Sequence, residues 1–453
     1  MIAGKHRSPV VRVAMIAGVI FVTILIFAVS ALLIFADSLA NVVIGPRITE
    51  AFVEAFPGSS IRVGDTRFSL LQNRLTIDSV TLQAVDGTVS GTIGKVSVEG
   101  VAWISLLLRG EAVPEDAADV VGEVGNVRLY DAASRNIIHC ERLNVSVPDS
   151  ELVADALVIR PPAGDEHFFE GSPYRSTRYR LSIPQCRVTG LACLALLTGG
   201  RYSARSVDIE HPVLDVLINK DKPSTPDANR PDMPGDMLQS MKGVLLVDAL
   251  RIDNGELIYS ERWAVGGDQA RISFDSMQIH AKGIASRAAH DAVIEVEAQL
   301  RLANAGTMNV HMLIPINAPG LSLSYTGSLS GMDLGGFNSF LEVSDQMRIK
   351  SGVLGGVIFD VSVSSGRAGG SVRGTYKGLK LASIDKQTGS ESGLSNGVIS
   401  FLANNLTIRR NNLPDSSGSM KTGEVKYTIA PDDTFVQVVW YSLRTGIRDV
   451  VGF

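Results

Sequence analysis

A chain of 453 residues with 45% hydrophobic, 6% aromatic and 20% charged residues is too apolar to be disordered, and its 44 glycines suit a turn-rich β protein better than a helical bundle. The net charge of −5, with no basic stripe and no Lys or Arg interleaved with aromatics, argues against nucleic acid as a partner. Three cysteines, Cys140, Cys186 and Cys193, are too few and too scattered for a disulfide framework or a zinc site. Cys186 and Cys193 can pair in an oxidising compartment, but the segment between them reads as helical, and buried free thiols are the better reading.

At the N-terminus, Lys5, Arg7 and Arg12 precede an uninterrupted apolar run from Val13 to Phe35. At about 1.5 Å per residue the run crosses the roughly 30 Å hydrocarbon core, so a transmembrane anchor is expected over 13–36. The positive-inside asymmetry places residues 1–12 in the cytoplasm and everything after Asp37 across the membrane. The alternative is a signal peptide cut near Ala40, whose apolar core would span about 7 to 15 residues. This run is longer, which favours a retained anchor; either way the body is exported.

After the span, Leu39, Val42, Val43, Ile48, Phe52 and Phe56 recur at helical spacing up to Pro57 and Gly58. This helix either rests on the membrane surface or caps the first strands. Strands are expected at Ile61 to Val63, Phe68 to Leu70 and Lys95 to Val98. Between them begins an eight-residue pattern that recurs along the chain: LTIDSVTL from Leu75, LVADALVI from Leu152, LLVDALRI from Leu245, ISFDSMQI from Ile272 and, more loosely, YSARSVDI from Tyr202. In each copy apolar residues alternate at period two, slip by one at the polar pair and alternate again, the rhythm of a strand with a bulge in its middle. A pattern that repeats one strand type prepares a scaffold rather than a catalytic centre.

A second repeat matches VEGVAWISLLLRG, from Val98 to Gly110, with VTGLACLALLTGG, from Val188 to Gly200. Each reads as strand, glycine, helix, turn; the helices from Val101 to Leu108 and from Leu191 to Leu197 are apolar nearly all round and must be covered. The polar stretch KDKPSTPDANRPDMPG from Lys220 is a linker or long loop, and with its flank it divides a β region over 37–219 from a second over 238–434 across 220–237. In the second region Asn254 and Gly255 read as a tight hairpin turn, and alternation returns at Ile294 to Leu302, Met308 to Ile314, Leu321 to Tyr325, Val357 to Val363 and Val372 to Tyr376. A short helix is expected around Phe337 to Leu341. Phe435, Val439, Trp440, Leu443, Ile447, Val450 and Val451 fall at helical spacing, so the chain closes on an amphipathic helix over 435–453.

No catalytic constellation is legible. The seven histidines never fall at metal-ligand spacing, and neither HExxH nor GxSxG occurs. The phosphate-loop candidate ending at Gly94 and Lys95 has Val89 in place of its first glycine and Val96 in place of the hydroxyl. His139 and Cys140, adjacent on a strand, point to opposite faces and cannot act as a base and thiolate pair. Glu256 with Glu261, and Glu166 with Glu170, read as surface charges beside turns rather than glycosidase carboxylates. A non-enzymatic protein without cofactor or metal is expected.

With the anchor, the octads and the paired motifs ending in Gly110 and Gly200 in view, the chain resembles the AsmA-like proteins of the bacterial envelope. The resemblance covers nearly the whole chain. It is most specific from Gly190 to Lys222, in GSLSGMDLGGFNSFLEVSDQMRIKSGVLGGVIFDVSV from Gly327, and in the closing WYSLRTGIRDVVGF from Trp440. It implies a mainly β fold: a long, bent, mostly antiparallel β-sheet forming an open apolar groove with short capping helices, related in plan to bridge-like lipid transfer proteins. It also implies a single-pass inner-membrane protein whose body lies in the periplasm, with phospholipids as cargo, a part in outer-membrane maintenance, and other envelope proteins or a second copy as further partners. About twenty strands at about 4.8 Å would give a sheet on the order of 100 Å, less if strands share a layer. The expected groove lining is Val310, Met312, Ile314, Val357, Phe359 and Val361; the same residues can instead pack against a second layer of sheet. A different class of function, a scaffold or assembly factor that guides outer-membrane proteins along exposed sheet edges, fits the same strands.

Overall fold

The computed structural model describes residues 58–452 together with Thr49 and Val53, apart from 70–72, 85, 102–116, 194, 196–200, 225–232, 242, 287–291, 319, 385–390, 393–407 and 432. The expected anchor, the helix that follows it and the helix from Val101 to Leu108 lie outside the described residues, almost wholly or entirely. Among the described residues no helix is long and apolar enough to cross a membrane.

The chain is built of strands β1 (Ser60–Val63), β2 (Thr66–Ser69), β3 (Arg74–Ile77), β4 (Val80–Gln83), β5 (Val89–Glu99), β6 (Val121–Asp131), β7 (Asn136–Ser146), β8 (Glu151–Arg160), β9 (Thr177–Thr189), β10 (Arg201–Glu210) and β11 (Val213–Asn219). They continue as β12 (Val244–Arg262), β13 (Gln269–Ala285), β14 (Val293–Leu302), β15 (Gly306–Pro315), β16 (Leu323–Asp333), β17 (Met347–Ser364), β18 (Arg367–Ile384), β19 (Glu391–Ser392) and β20 (Gly423–Thr428). Among the described residues four α-helices accompany them, α1 (Asp165–Glu170), α2 (Pro234–Gln239), α3 (Asn338–Ser344) and α4 (Phe435–Val451), with a 3-10 turn at Leu334–Phe337 before α3. Among the described residues all the strands belong to one mixed, mostly antiparallel sheet of 20 strands. Several are collinear: β3 and β4 both pair with β5, and β10 and β11 both lie between β9 and β12. The sheet is therefore shorter than a count of strands suggests, roughly 70 Å at about 4.8 Å per lateral step.

The octads fold as their rhythm predicts. In the copy from Leu75 the strand breaks at the polar pair, β3 ending at Ile77 and β4 starting at Val80, with Leu75, Ile77 and Val80 all buried. In the copies from Leu152 and Ile272 the strand runs through, and Ala156 (φ 51°) and Ser276 (φ 52°) take the left-handed conformation that inserts the slip. In the copy from Leu245 the polar Asp248 stands opposite Gly283, whose φ of 73° supplies the irregularity from the partner strand. Left-handed residues line up from strand to strand: Asn126 on β6, Ala156 on β8, His211 between β10 and β11, Asn254 on β12 and Ser276 on β13. On β6 this shifts the buried parity from Val124 to Val127 and Leu129, and on β7 from Ile138 and Cys140 to Leu143 and Val145.

Two expectations are corrected here. Asn254 and Gly255 do not turn the chain: β12 continues through them, because only Asn254 (φ 52°) is left-handed and a type I′ hairpin needs two such residues in succession. Asn254 makes a bulge instead, seen as register shifts between Ile252 and Leu257. The strand before it is likewise not its antiparallel partner, since β10 and β11 run parallel to β12. A parallel pair needs a crossover connection, and the proline-rich stretch after Lys220, with α2 at its end, is that crossover. Met233 and α2 return to the sheet, where Met233 is buried with Ile294, Ile314 and Ile316 and the Gln239 amide donates to the Ile316 carbonyl (2.9 Å).

The second correction concerns the cysteines. The segment between Cys186 and Cys193 is strand up to Thr189, then Gly190 with φ 62°, and all three cysteines are free thiols. Burial pushes the Cys140 and Cys186 thiols up to about 11.

Helix α1, which has no sequence signature beyond Phe168 and Phe169, is fastened to the sheet by charge. Arg178 reaches Asp165 (3.0 Å) and Asp215 (2.9 Å), while Arg262 reaches Glu166 (2.6 Å) and Asp221 (3.0 Å) and lies 4.6 Å over the Phe169 ring. Both guanidiniums are buried, so each depends on its carboxylates. Glu170 pairs with His167 (3.1 Å).

Candidate functional site

Cross-strand partners point to the same face of a sheet, so the register tells which residues share a surface. Starting from Val96 on β5, successive partners are Val124, Leu143, Ala154, Cys186, Ile209, Ile252, Ile279, Ala298, Val310, Gly327, Phe359 and Val372. The neighbouring row runs Val98, Gly122, Val145, Leu152, Val188, Val207, Leu250, Ala281, Val296, Met312, Tyr325, Val361 and Gly370. Across thirteen strands neither row contains a charged residue, and Tyr325 carries their single hydroxyl. Beyond the line of left-handed residues a third row, Ile138, Ile159, Leu181, Leu214, Leu257, Phe274 and Leu302, keeps the same face apolar.

The opposite face reads differently along the same strands. There the partners are Arg187, Asp208, Arg251, His280, Glu297, His311, Thr326 and Asp360. Arg251 pairs with Asp208 (3.0 Å) and His311 with Glu295 (3.0 Å), and the hydrogen bond from His311 lowers the Glu295 carboxyl below its ordinary range. A shallow hollow of about 590 Å³ on this side is lined by Arg251, Gln278, His280, Glu297, Gln299 and His311 among others. Among the described residues no group of three or more His, Cys, Asp and Glu side chains is placed to hold a metal ion. His139 and Cys140 face opposite ways, His139 toward Asn126 (3.3 Å) and Cys140 into the core.

Burial along the two apolar rows divides them into three zones. From Val96 and Val98 to Ala154 the large side chains other than Leu152 are buried. From Gly327 and Tyr325 onward Phe359, Val361 and Val372 are buried again. Between these ends, Cys186, Ile209, Ile252, Ile279, Ala298 and Val310 of one row, and Val188, Val207, Leu250, Val296 and Met312 of the other, are only half-buried, with the small Ala281 alone buried among them. The half-open zone runs from β9 to β15, about 24 Å at about 4.8 Å per step.

Helix α4 makes the difference at the C-terminal end. Its buried stripe is Val438, Ser442, Gly446 and Val450, and small residues let the helix approach the sheet closely. A Cβ on Gly446 would stand 2.6 Å from a Val372 methyl, and one on Gly423 would strike the Gly446 carbonyl. The Tyr325 hydroxyl donates to the Val439 carbonyl (2.9 Å), and burial pushes its pKa up. The Phe359 ring crosses above Gly327 and meets Tyr325 edge-on at 6.1 Å. The edge strand β20 is capped by the same helix: Glu424 and Lys426 donate their backbone N–H groups to Asp449 (2.9 Å) and Thr445 (3.2 Å).

The six residues expected to line a groove do share this face, but not one environment. Val310, Met312 and Val357 are half-buried, whereas Ile314, Phe359 and Val361 are core residues, the last with 0% exposure. Of the half-open residues missing from that expectation, Val207, Ile209, Leu250, Ile252 and Ile279 are the closing apolar positions of three octads, and Cys186, Val188, Val296 and Ala298 lie on the strands beside them. Their alternation was legible; which strands would lack cover was not. Glu261, expected at the surface, is a buried carboxylate at the end of β12 with 7% exposure. No protein-family model matches the chain, and no curated protein matches it.

Proposed function

We propose that the half-open zone binds phospholipid acyl chains, and that the protein takes part in moving phospholipids between the two membranes of the bacterial envelope. The observation that carries this reading is the pair of uncharged rows, closed at both ends and half-open between β9 and β15. Apolar surface left accessible in a contiguous strip marks a binding surface, and its span of about 24 Å exceeds the roughly 15 Å of one leaflet's hydrocarbon. Each buried methylene contributes about 0.8 kcal/mol, so a strip that shelters acyl chains offsets much of their extraction from a bilayer. The line of left-handed residues from Asn126 to Ser276 would bend the sheet along one crease and make the apolar side concave.

The closed ends favour a protein that holds lipid in its middle over one that conducts it along the full sheet. The apolar run from Val13 to Phe35 would keep it at the inner membrane with its body in the periplasm, where it would work with other envelope proteins or a second copy. Strand addition by an outer-membrane client is the less favoured reading, because α4 occupies the outward N–H groups of the β20 edge. Mass spectrometry of small molecules that co-purify with the full chain in mild detergent tests the proposal. Phospholipid bound in defined stoichiometry is expected, and unfolded barrel proteins without lipid would contradict it.

A further inference from the structure

The apolar side of β11 and β12 ends in two charges. On β12 the residues facing this side beyond the bulge are Leu257, Tyr259 and Glu261, and on β11 they are Leu214, Val216 and Ile218, with Lys220 following just past the strand. The Glu261 side chain is 9% exposed and that of Lys220 11%, so both charges sit where water hardly reaches. Their separation of 3.7 Å makes an ion pair but exceeds hydrogen-bond distance. Glu261 is steadied instead by the Tyr259 hydroxyl, which donates to it at 2.8 Å, and Tyr259 packs on Phe340 of α3 at 6.2 Å. Two nearly buried charges that do not hydrogen-bond each other are an expensive way to end an apolar face.

Resting on the reading of the half-open zone as an acyl-binding surface, we infer that Glu261 and Lys220 form its polar end and hold a phospholipid head group that carries both a phosphate and an ammonium. Lys220 takes the phosphate and Glu261 the ammonium, while the acyl chains lie back along the Leu257 and Leu214 columns toward Ile252 and Ile279. A head group lacking the ammonium leaves Glu261 and the phosphate to share the single cation of Lys220, where the ammonium would give Glu261 a partner of its own. The site therefore discriminates by charge, selecting phosphatidylethanolamine over phosphatidylglycerol.

The test incubates the full chain with vesicles of equal phosphatidylethanolamine and phosphatidylglycerol, re-isolates it and quantifies bound lipid by class. Enrichment of phosphatidylethanolamine by about tenfold is expected, the effect of one charge-assisted contact. Glu261→Gln should bring the ratio near parity with bound lipid retained, and Lys220→Gln should lower both classes together. Parity in the wild-type protein, or an unchanged ratio in a folded Glu261→Gln variant, overturns the head-group site while leaving the acyl surface standing; no bound lipid of either class overturns both. A measurement on the unaltered chain guards against misfolded variants: with an amine-reactive probe in large excess over all lipid amines, labelling of Lys220 should be slowed by phosphatidylethanolamine vesicles. Equal protection by phosphatidylglycerol vesicles, or by inorganic phosphate alone, contradicts the assignment.

Discussion

Val361 and Ile279 sit on the same face of one sheet, in adjoining rows, on strands of similar apolar rhythm, yet the first has no exposed surface and the second is only half-buried. The strands do not cause the difference; the cover does. At Val361 a helix with Ser442 and Gly446 at its contact stripe lies against Val372 and Val425, whereas from β9 to β15 the rows keep an accessible side. An apolar strand is thus ambiguous between core and binding surface until the element above it is known, and the two zones should respond oppositely to substitution.

The largest effect is expected at the closed end. Phe359→Ala removes a buried ring that covers Gly327 and should cost about 3–5 kcal/mol, read as a lowered thermal or denaturant midpoint. Gly446→Val should follow at about 1–3 kcal/mol, because the added methyls meet Val372 and Val425 and lift α4. In the half-open zone Ile279→Ser should cost less, about 1 kcal/mol, while reducing co-purified lipid; equal stability losses at Phe359 and Ile279 would erase the comparison.

A smaller change tests the crease. Ala156→Gly should stabilise by about 1 kcal/mol, since φ 51° carries a penalty for alanine that glycine escapes. The smallest effect concerns pH at the α4 edge. The Lys421 hydrogen bond, with the Glu424 N–H behind it, holds the Asp449 carboxyl below its ordinary value. Its contribution is therefore present above the unfolded carboxylate pKa and is lost as pH falls through the folded value. Because Asp449 is 39% exposed, the loss should stay under about 1 kcal/mol, and Asp449→Asn should remove that part of the acid sensitivity.

Much of the fold was legible because period two with a one-residue slip has few other physical meanings, and the octads at Leu75, Leu152 and Ile272 fold as that rhythm dictates. What was not legible depends on contacts distant in sequence. Asn254 and Gly255 match a hairpin signature, and it takes the neighbouring strands, through the register shift against β13 and the His211 N–H that donates to the Asp253 carbonyl (2.8 Å), to show a bulge that continues β12. The closing helix was legible as a helix, but its large apolar residues misdirect: Trp440 and Ile447 are exposed, and the small Ser442 and Gly446 are buried because they admit the sheet. The six candidate lining residues were correctly assigned to one face by alternation, yet nothing in their own strands distinguishes Val310 from Phe359. Glu261 escaped for a related reason, since a carboxylate near a turn reads as solvated until Tyr259 and Lys220 close around it.

The central claim, that the middle of the apolar face holds acyl chains and its C-terminal end does not, is tested most directly by site-specific photo-crosslinking in cells. A crosslinker at Ile279 should capture phospholipid, and one at Val361 should capture only α4 of the same chain. Lipid captured at both positions, or at neither, would contradict the account.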